Sequence, residues 1–590
     1  MGVPGFWGGW LRRFFIDYRE FRRSNIAVNT FSIDMNGVLH TCLNKINSDA
    51  SADGSAPRRT EAEIEDSFMQ EIHRELTKIC NKFCRDGSCQ VLIICVDGVS
   101  PVAKMMQQRS RRFKAVVPSS GGEESVMIDR NSLSPGTRIM DRIQETIAAW
   151  GRSENVPPGL ELIISPHRVP GEGEHKIFQL LKVKSRQDPH LANLIYGIDA
   201  DFTMISLASD VRNIWLVREE EESGVAGAAG AAGAAGAAHR PHPVHRQATF
   251  LSIESLRKSL KDNFMGRRDR RTSPRQLSDD FVAVMSLLGN DFVPRVPDVG
   301  DVSRWIGQLL TTYRELGLPL TERTVEGEES YPSIILENFK TFLGVLSQKE
   351  GANLAEIATA RFKYPATMVI GCSETKTGIT GDSETSVNVP LLKKRWYART
   401  ASCVGMGDRD GEDVRDDMCL NFLKMISWVL LYYGTHSKMS RTTFYPFHFA
   451  PFVSDLARVS VFKASVLCRS SVFKDRPWLF PIEQAVLTQP KASAAIILDF
   501  PLLEEGRRRE VADLLDDAAK AVGSTIIEGK NAEHQGTTIV KIPDFGKLSM
   551  IPNPPPNVSQ TMEMMQLYRP KEAMRSRGTT SWADRIELKK

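Results

Sequence analysis

The stretch QVLIICVDG (residues 90–98) runs through six consecutive apolar side chains and ends on Asp97 and Gly98. A continuous apolar run of this length, with no polar alternation, is what a strand buried on both faces of a parallel sheet requires. Upstream of it, Ile64, Phe68, Ile72, Leu76, Ile79 and Phe83 recur at three- and four-residue steps, which predicts an amphipathic helix ended by Gly87. Further strands are expected at NTFSID (29–34), LELIIS (160–165) and NLIYGI (193–198). A basic helix is expected after Pro101 and another helix after Glu174. Strand and helix in alternation predict an α/β protein with a mostly parallel, doubly wound sheet flanked by helices. Around this frame, residues 1–22, with Trp7, Trp10, Phe14 and Phe21, suit one amphipathic helix. Asn36-Gly37 signals a turn after the first strand, and the small polar residues of 45–60 predict a loop.

At 590 residues the chain is too long for one core, and roughly 100–200 residues per domain predicts two to four units. Hydrophobic residues make up 41% and charged residues 25%, which excludes a mainly disordered or collagenous chain. Lys and Arg number 76 against 72 Asp and Glu, a net charge of +4, so any case for nucleic acid rests on local clustering. Nine scattered cysteines predict free thiols in a reducing compartment, and Cys80, Cys84, Cys89 and Cys95 fit no common zinc spacing. No apolar run is long enough to span a membrane, and no basic segment precedes an apolar stretch at the start. Phe6 breaks the myristoylation pattern. An intracellular protein is expected, nuclear or cytoplasmic, with no membrane association. GVAGAAGAAGAAGAA (224–238) predicts a flexible insertion over about 223–246, and its flanking His239, His242 and His245 have no Cys or carboxylate to complete a ligand set.

Three apolar runs deliver an aspartate: Asp34 after NTFSI, Asp97 after VLIICV and Asp199 after LIYGI. In an open parallel sheet, sites form in the crevice at the carboxyl ends of the strands. PGEGEHK adds Glu172 and Glu174, GIDADF pairs Asp199 with Asp201, and LLGNDF places Asp291. Seven carboxylates meeting in one crevice would repel or take up protons unless cations join them. Mg²⁺ prefers oxygen ligands, and two such ions about 4 Å apart can stabilise both the attacking and the leaving oxygen of a phosphodiester.

A second constellation is PVAKMMQQRSRRFKA (101–115). It holds the cations Lys104, Arg109, Arg111, Arg112 and Lys114, with no acid before Gly121. As a helix it puts Lys104, Gln108, Arg111 and Arg112 on one face, leaving Arg109 off it as a general basic contact. A merely solvated helix mixes signs; an acid-free face beside carboxylates suits phosphate.

These motifs resemble the XRN family of 5′→3′ exoribonucleases. The residues that carry the resemblance are MGVP at the start, IDMNGVLH (33–40), DGVSPVAKMMQQRSRRF (97–113), PGEGEHKI (170–177), YGIDADFTMISL (196–207) and DDFVAVMSLLGNDFVPRVP (279–297). SWVLLYYG and YPFHFAPFVSDL are similar to the family's second conserved region. The resemblance implies a flap-nuclease- or PIN-like core and a largely helical second region. The expected layout is a nuclease domain over 1–300, a helical connector over 301–409 with a flexible 371–388, the second region over 410–500, and a partly mobile extension over 501–590. It implies Asp34, Asp97, Glu172, Glu174, Asp199, Asp201 and Asp291 as catalytic metal ligands for two Mg²⁺ ions, with Mn²⁺ able to substitute. Lys104, Gln108, Arg111 and Arg112 match the 5′-phosphate pocket, His40 a base-stacking residue, and Trp428 is the candidate for a second stacking aromatic. The implied activity is processive hydrolysis of 5′-monophosphorylated single-stranded RNA to nucleoside 5′-monophosphates, in RNA decay or processing. Protein partners stay open, and the large C-terminal domains of longer members are expected to be absent. Val102 stands where the family often has arginine, and KMSRTTF (438–444) replaces a tryptophan-rich approach. The competing readings are a structure-specific flap-type DNA endonuclease and a non-catalytic RNA-binding scaffold.

Overall fold

The computed structural model describes residues 11–52, 59–84, 87–115, 127–157, 159–197, 199, 201–221, 246–264, 273–327, 329–360, 366–377, 383–403, 411–437, 439–468, 478–479, 481–489 and 566–568. In chain order the strands are β1 (Phe15–Asp17), β2 (Thr30–Asp34), β3 (Val91–Cys95), β4 (Glu161–Ser165), β5 (Asn193–Tyr196), β6 (Ile214–Glu221), β7 (Arg246–Ser252), β8 (Thr321–Glu326), β9 (Glu329–Ile334), β10 (Ser373–Thr377), β11 (Ser383–Val387) and β12 (Gln566–Tyr568). The main sheet has the order β1-β7-β6-β5-β2-β3-β4-β12. Its centre, from β6 through β5, β2 and β3 to β4, is parallel. Antiparallel pairings of β7 on β6, β1 on β7 and β12 on β4 finish the two sides.

Side chains alternate between two apolar layers, as the two-residue period of a strand demands. Ile93, Cys95, Ile163, Ile195 and Leu216 face one layer. Phe31, Ile33, Leu92, Ile94, Ile164 and Leu194 face the other. The second layer is closed by the helices Met35–Ala52, Glu61–Phe83 and Arg138–Gly151. The first extends from the sheet through Pro274–Met285 and Val302–Leu316 to Gly411–Tyr433 without a break. The last of these is buried on all sides from Met425 to Tyr433, so it is a core helix that shares the sheet's own apolar layer.

The structure departs from the sequence reading in three places. Residues 11–23 are a short 3-10 turn, strand β1 and the helix Tyr18–Arg23, rather than one helix. Asp17 and Glu20 form a capping box that starts the helix afresh, while Phe15 and Ile16 pair with β7. Trp7 and Trp10 lie outside the described residues. Asn36-Gly37 makes no turn: a helix begins at Met35 and runs to Ala52, taking in the first half of the expected 45–60 loop, of which 53–58 lie outside the described residues. Its buried Leu39, Cys42, Leu43 and Ile46 form a narrow stripe, and the polar Lys45, Ser48 and Asp49 are exposed on its outer face. The segment 371–388 carries β10 and β11, which pair as an antiparallel hairpin, and the connector holds a second hairpin, β8–β9. The Gly/Ala-rich insertion, its three histidines and most of the chain beyond 490 lie outside the described residues. Among the described residues, no helix is long and apolar enough to cross a membrane.

Candidate active site

Parallel strands point their carboxyl ends the same way, and the acids collect at that edge. Asp34 is the last residue of β2, and Asp97 lies two residues past β3. Glu172 is the N-cap of the helix Gly173–Gln187, and Glu174 sits in its first turn. Asp201 opens the helix Asp201–Ala208, with Asp199 just before it, and Asp291 follows the turn Ser286–Leu288. Helix N-termini favour negative charge, so two of the segments present carboxylates where the backbone stabilises them.

Two close approaches assemble this edge. A Cβ on Gly98 would lie 1.9 Å from the carbonyl oxygen of Val169, and Gly98 N–H donates to Gly171 O at 2.9 Å, so the loop after β3 is zipped to the loop before the Gly173 helix. Gly173 N–H donates to Asp97 Oδ1 at 2.5 Å, and a Cβ there would stand 2.5 Å from Asp34 Oδ1. Only glycine lets this backbone approach two carboxylates at once. Asn36 bridges the same pair: its backbone N–H donates to Asp34 and its side-chain amide to Asp97.

One ligand atom from each of Asp199, Asp201 and Asp291 lies within 4.8 Å of the others. Lys104 reaches into the acids from the basic helix Val102–Ala115, its Nζ 2.9 Å from Glu172 Oε1, 2.8 Å from Asp291 Oδ2 and 4.0 Å from Asp201 Oδ2. Gln107 donates to Asp291 Oδ1 at 2.6 Å. From the far region, Tyr433 donates to Asp201 Oδ1 at 2.9 Å and Tyr432 to Glu172 Oε2. Tyr432 is itself clamped between His175 and Trp428, stacked at 4.6 and 4.9 Å.

Lys104, with buried Lys176 acting on Asp97 from the helix Gly173–Gln187, does not neutralise this set. Burial, then Asp97, pushes Asp34 well above the usual carboxylate range. Burial and Glu172 push Asp97 up to about 6. Burial and the charges of Asp291 and Asp199 push Asp201 up to about 8. Burial also raises Glu174, against the pull of Lys104. Burial works against the charge of Lys104, but Asp291, Glu172 and Glu174 outweigh it and hold the ammonium well above its ordinary value. Glu174 Oε1 and Asp201 Oδ2 are buried and accept no hydrogen bond from described residues. An all-oxygen donor set with protons forced onto it and acceptors left over fits hard divalent cations.

The basic face continues from Lys104 through half-buried Gln108 to exposed Arg111 and half-buried Arg112. His40 is near its outer end: desolvation and the charges of Arg111, Arg130 and Arg112 pull it down to about 4, so its ring is neutral. Two expectations are corrected here. Trp428 is fully buried, its Nε1 donating to Ser440 O at 2.7 Å, one face on Tyr432 and an edge contact to Phe292 at 5.1 Å, which leaves no face for a base. Arg109 is no surface cation: it is 4% exposed and donates to Leu487 O at 2.7 Å, at the end of the helix Pro481–Thr488. Sequence reasoning also missed Asn36, Gly173, Tyr432 and Tyr433. The two tyrosines could have been flagged as the polar handles that end the apolar run from Trp428, but no linear spacing ties them to the acids.

Fold and site together define a class: an α/β protein with a carboxylate centre for divalent cations at the carboxyl edge of its sheet, flanked by a cationic helix. Residues 1–220 match the XRN 5′-3′ exonuclease N-terminus, and residues 374–532 match the Xrn1 helical domain. The chain belongs to the XRN 5′-3′ exonuclease family. It is 26% identical to the 5′-3′ exoribonuclease 1 of Homo sapiens over 84% of this chain and 31% of that protein. It is 30% identical to the 5′-3′ exoribonuclease 1 of Schizosaccharomyces pombe over 50% of this chain and 22% of that protein. The 5′-3′ exoribonuclease 2 homolog of Drosophila melanogaster is 24% identical over 80% of this chain and 60% of that protein. The chain thus spans about a third or less of the first two relatives.

Proposed function

We propose that this protein is a 5′→3′ exoribonuclease that hydrolyses single-stranded, 5′-monophosphorylated RNA stepwise to nucleoside 5′-monophosphates, with Mg²⁺ as its ion. The observation that carries the reading is Lys104. It belongs to the acid-free basic helix, yet its ammonium lies in the carboxylate cluster, 2.8 Å from Asp291 and 2.9 Å from Glu172. The helix that suits a terminal phosphate and the acids that suit hydrolysis are therefore one site. That proximity sets where cutting occurs relative to the 5′ end.

Asp34, Asp97, Glu172, Glu174, Asp199, Asp201 and Asp291 would hold the ions, two in number. When bound, the ions supply a nucleophile at neutral pH and stabilise charge on the reacting phosphodiester. Gln108, Arg111 and Arg112 bind the 5′-phosphate through charge-assisted hydrogen bonds and fix the register of the chain. Neutral His40 offers its ring to an unpaired base, a contact that reads no sequence. Tyr432 and Tyr433 hold Glu172 and Asp201 in place through their hydroxyls.

The test is a panel of 3′-labelled single-stranded RNAs bearing 5′-monophosphate, 5′-hydroxyl or 5′-cap ends, with Mg²⁺ or chelator. The proposal expects rapid loss of the monophosphate RNA alone, and only with the metal. Binding without turnover under all conditions would favour an RNA-binding scaffold. Preferential cutting of branched DNA would favour a flap-type endonuclease.

A further inference from the structure

The helix Pro481–Thr488 lies along the basic helix and is joined to it by polar side chains. Gln484, 2% exposed, stands at the centre. Its Oε1 accepts the backbone N–H of Ser100 at 2.9 Å, and its Nε2 donates to Gln108 Oε1 at 3.1 Å. Thr488 donates to Gln484 O at 2.8 Å and accepts a hydrogen bond from Arg112.

The polarity of this chain of bonds is fixed at one end. A backbone N–H can only donate, so the atom of Gln484 that meets Ser100 must be the amide oxygen. The amide nitrogen is then left for Gln108, and a nitrogen donor requires the oxygen of Gln108 in return. The nitrogen of Gln108 is thereby turned away from Gln484, and among the described residues it donates to none. We infer that Gln484 is a specificity-determining positioning residue: by fixing the amide of Gln108, it makes the 5′-phosphate pocket present a donor, not an acceptor, to the terminal phosphate. Ser100 lies in the loop that follows Asp97, so the register of that loop is transmitted through Gln484 to the pocket. A pocket with the Gln108 oxygen turned inward would repel an anion. This inference rests on the proposed role of Gln108 in binding a 5′-phosphate.

The experiment compares kcat/KM on 5′-monophosphate and 5′-hydroxyl RNA of one sequence. Gln484→Glu keeps an acceptor for Ser100 but offers Gln108 an acceptor, which reverses the Gln108 amide. The preference for the phosphate end should narrow about tenfold, as loss of a charge-assisted hydrogen bond predicts. The same substitution in a Gln108→Leu background, which has no amide to reverse, should produce no further narrowing. Gln484→Met, uncharged and of similar size, serves if the glutamate impairs folding, and should narrow the preference less, again only when Gln108 is present. Equal losses on both RNA ends, or the same narrowing without Gln108, would overturn the inference. A wild-type protein with no preference between the ends would instead refute the phosphate pocket itself, and this inference would fall with it.

Discussion

Asp201 gathers the site's chemistry in one side chain. It is fully buried, begins a helix, accepts a hydrogen bond from Tyr433, and is pushed up to about 8 by burial and by Asp291 and Asp199. Asp201→Asn keeps the shape and removes the charge, so the fold should persist while turnover drops by at least about a thousandfold, the several kcal/mol expected of a lost metal ligand. Single-turnover rates of RNA hydrolysis at saturating Mg²⁺ check this; a rate within tenfold of wild type would remove Asp201 from the metal centre. Tyr433→Phe removes only the hydroxyl that orients Asp201. The loss of one neutral hydrogen bond, about 1 kcal/mol, predicts a rate lowered about fivefold. A Tyr433→Phe enzyme as slow as Asp201→Asn would mean that the hydroxyl does more than orient its neighbour.

The contacts between the basic helix and the helix Pro481–Thr488 explain why so much of the site was legible in the sequence and why its frame was not. The strands and their terminal acids are local signals: VLIIC is apolar throughout and Asp97 lies two residues beyond it. Lys104, Gln108, Arg111 and Arg112 share a face because a helix has 3.6 residues per turn. Arg109 lies off that face on any helical wheel, but its burial depends on a helix that begins 372 residues later, and no spacing in the chain reports it. Tyr432, Tyr433 and Gln484 escaped notice for the same reason: their partners are Glu172, Asp201 and Gln108, far away in sequence. The helix Met35–Ala52 was missed for a local reason, since Asn36-Gly37 reads as a turn until the carboxylates of Asp34 and Asp97 take up its donors. At this scale Arg109→Met should destabilise the fold by about 2 kcal/mol, the value of a buried hydrogen bond from a charged group. Urea unfolding measures it. RNA cleavage should fall alike for both 5′ ends, and unchanged stability would show that Arg109 does not tie the two helices together.

At the scale of the molecule, the parallel sheet carries acids from both halves of its strand order to one edge, and a core helix from the distant Gly411–Tyr433 segment braces them. Without metal this arrangement makes stability depend on pH. Asp97 at about 6 and Asp201 at about 8 keep protons that the unfolded chain has lost, so the folded state binds more protons and stability falls as pH rises through that window. His40 and His175, both pulled to about 4, act in the opposite sense, but their effect is complete once pH passes about 6.5, where the unfolded imidazole loses its proton. Between about pH 6.5 and 7.5 the acids dominate; Lys176 and Lys182, pulled down to about 8 by burial, oppose them above that. Thermal melts in chelator should therefore show Tm falling across that interval, and Mg²⁺ should raise Tm most at its upper end; a metal-free Tm that rises there would contradict the electrostatics. The central claim, cutting that starts at a 5′ end, is tested most directly with one RNA in two forms, linear with a 5′-monophosphate and covalently closed into a circle. With Mg²⁺ the linear form should be converted to nucleoside 5′-monophosphates while the circle stays intact; a circle opened as fast as the linear RNA is lost would contradict the account.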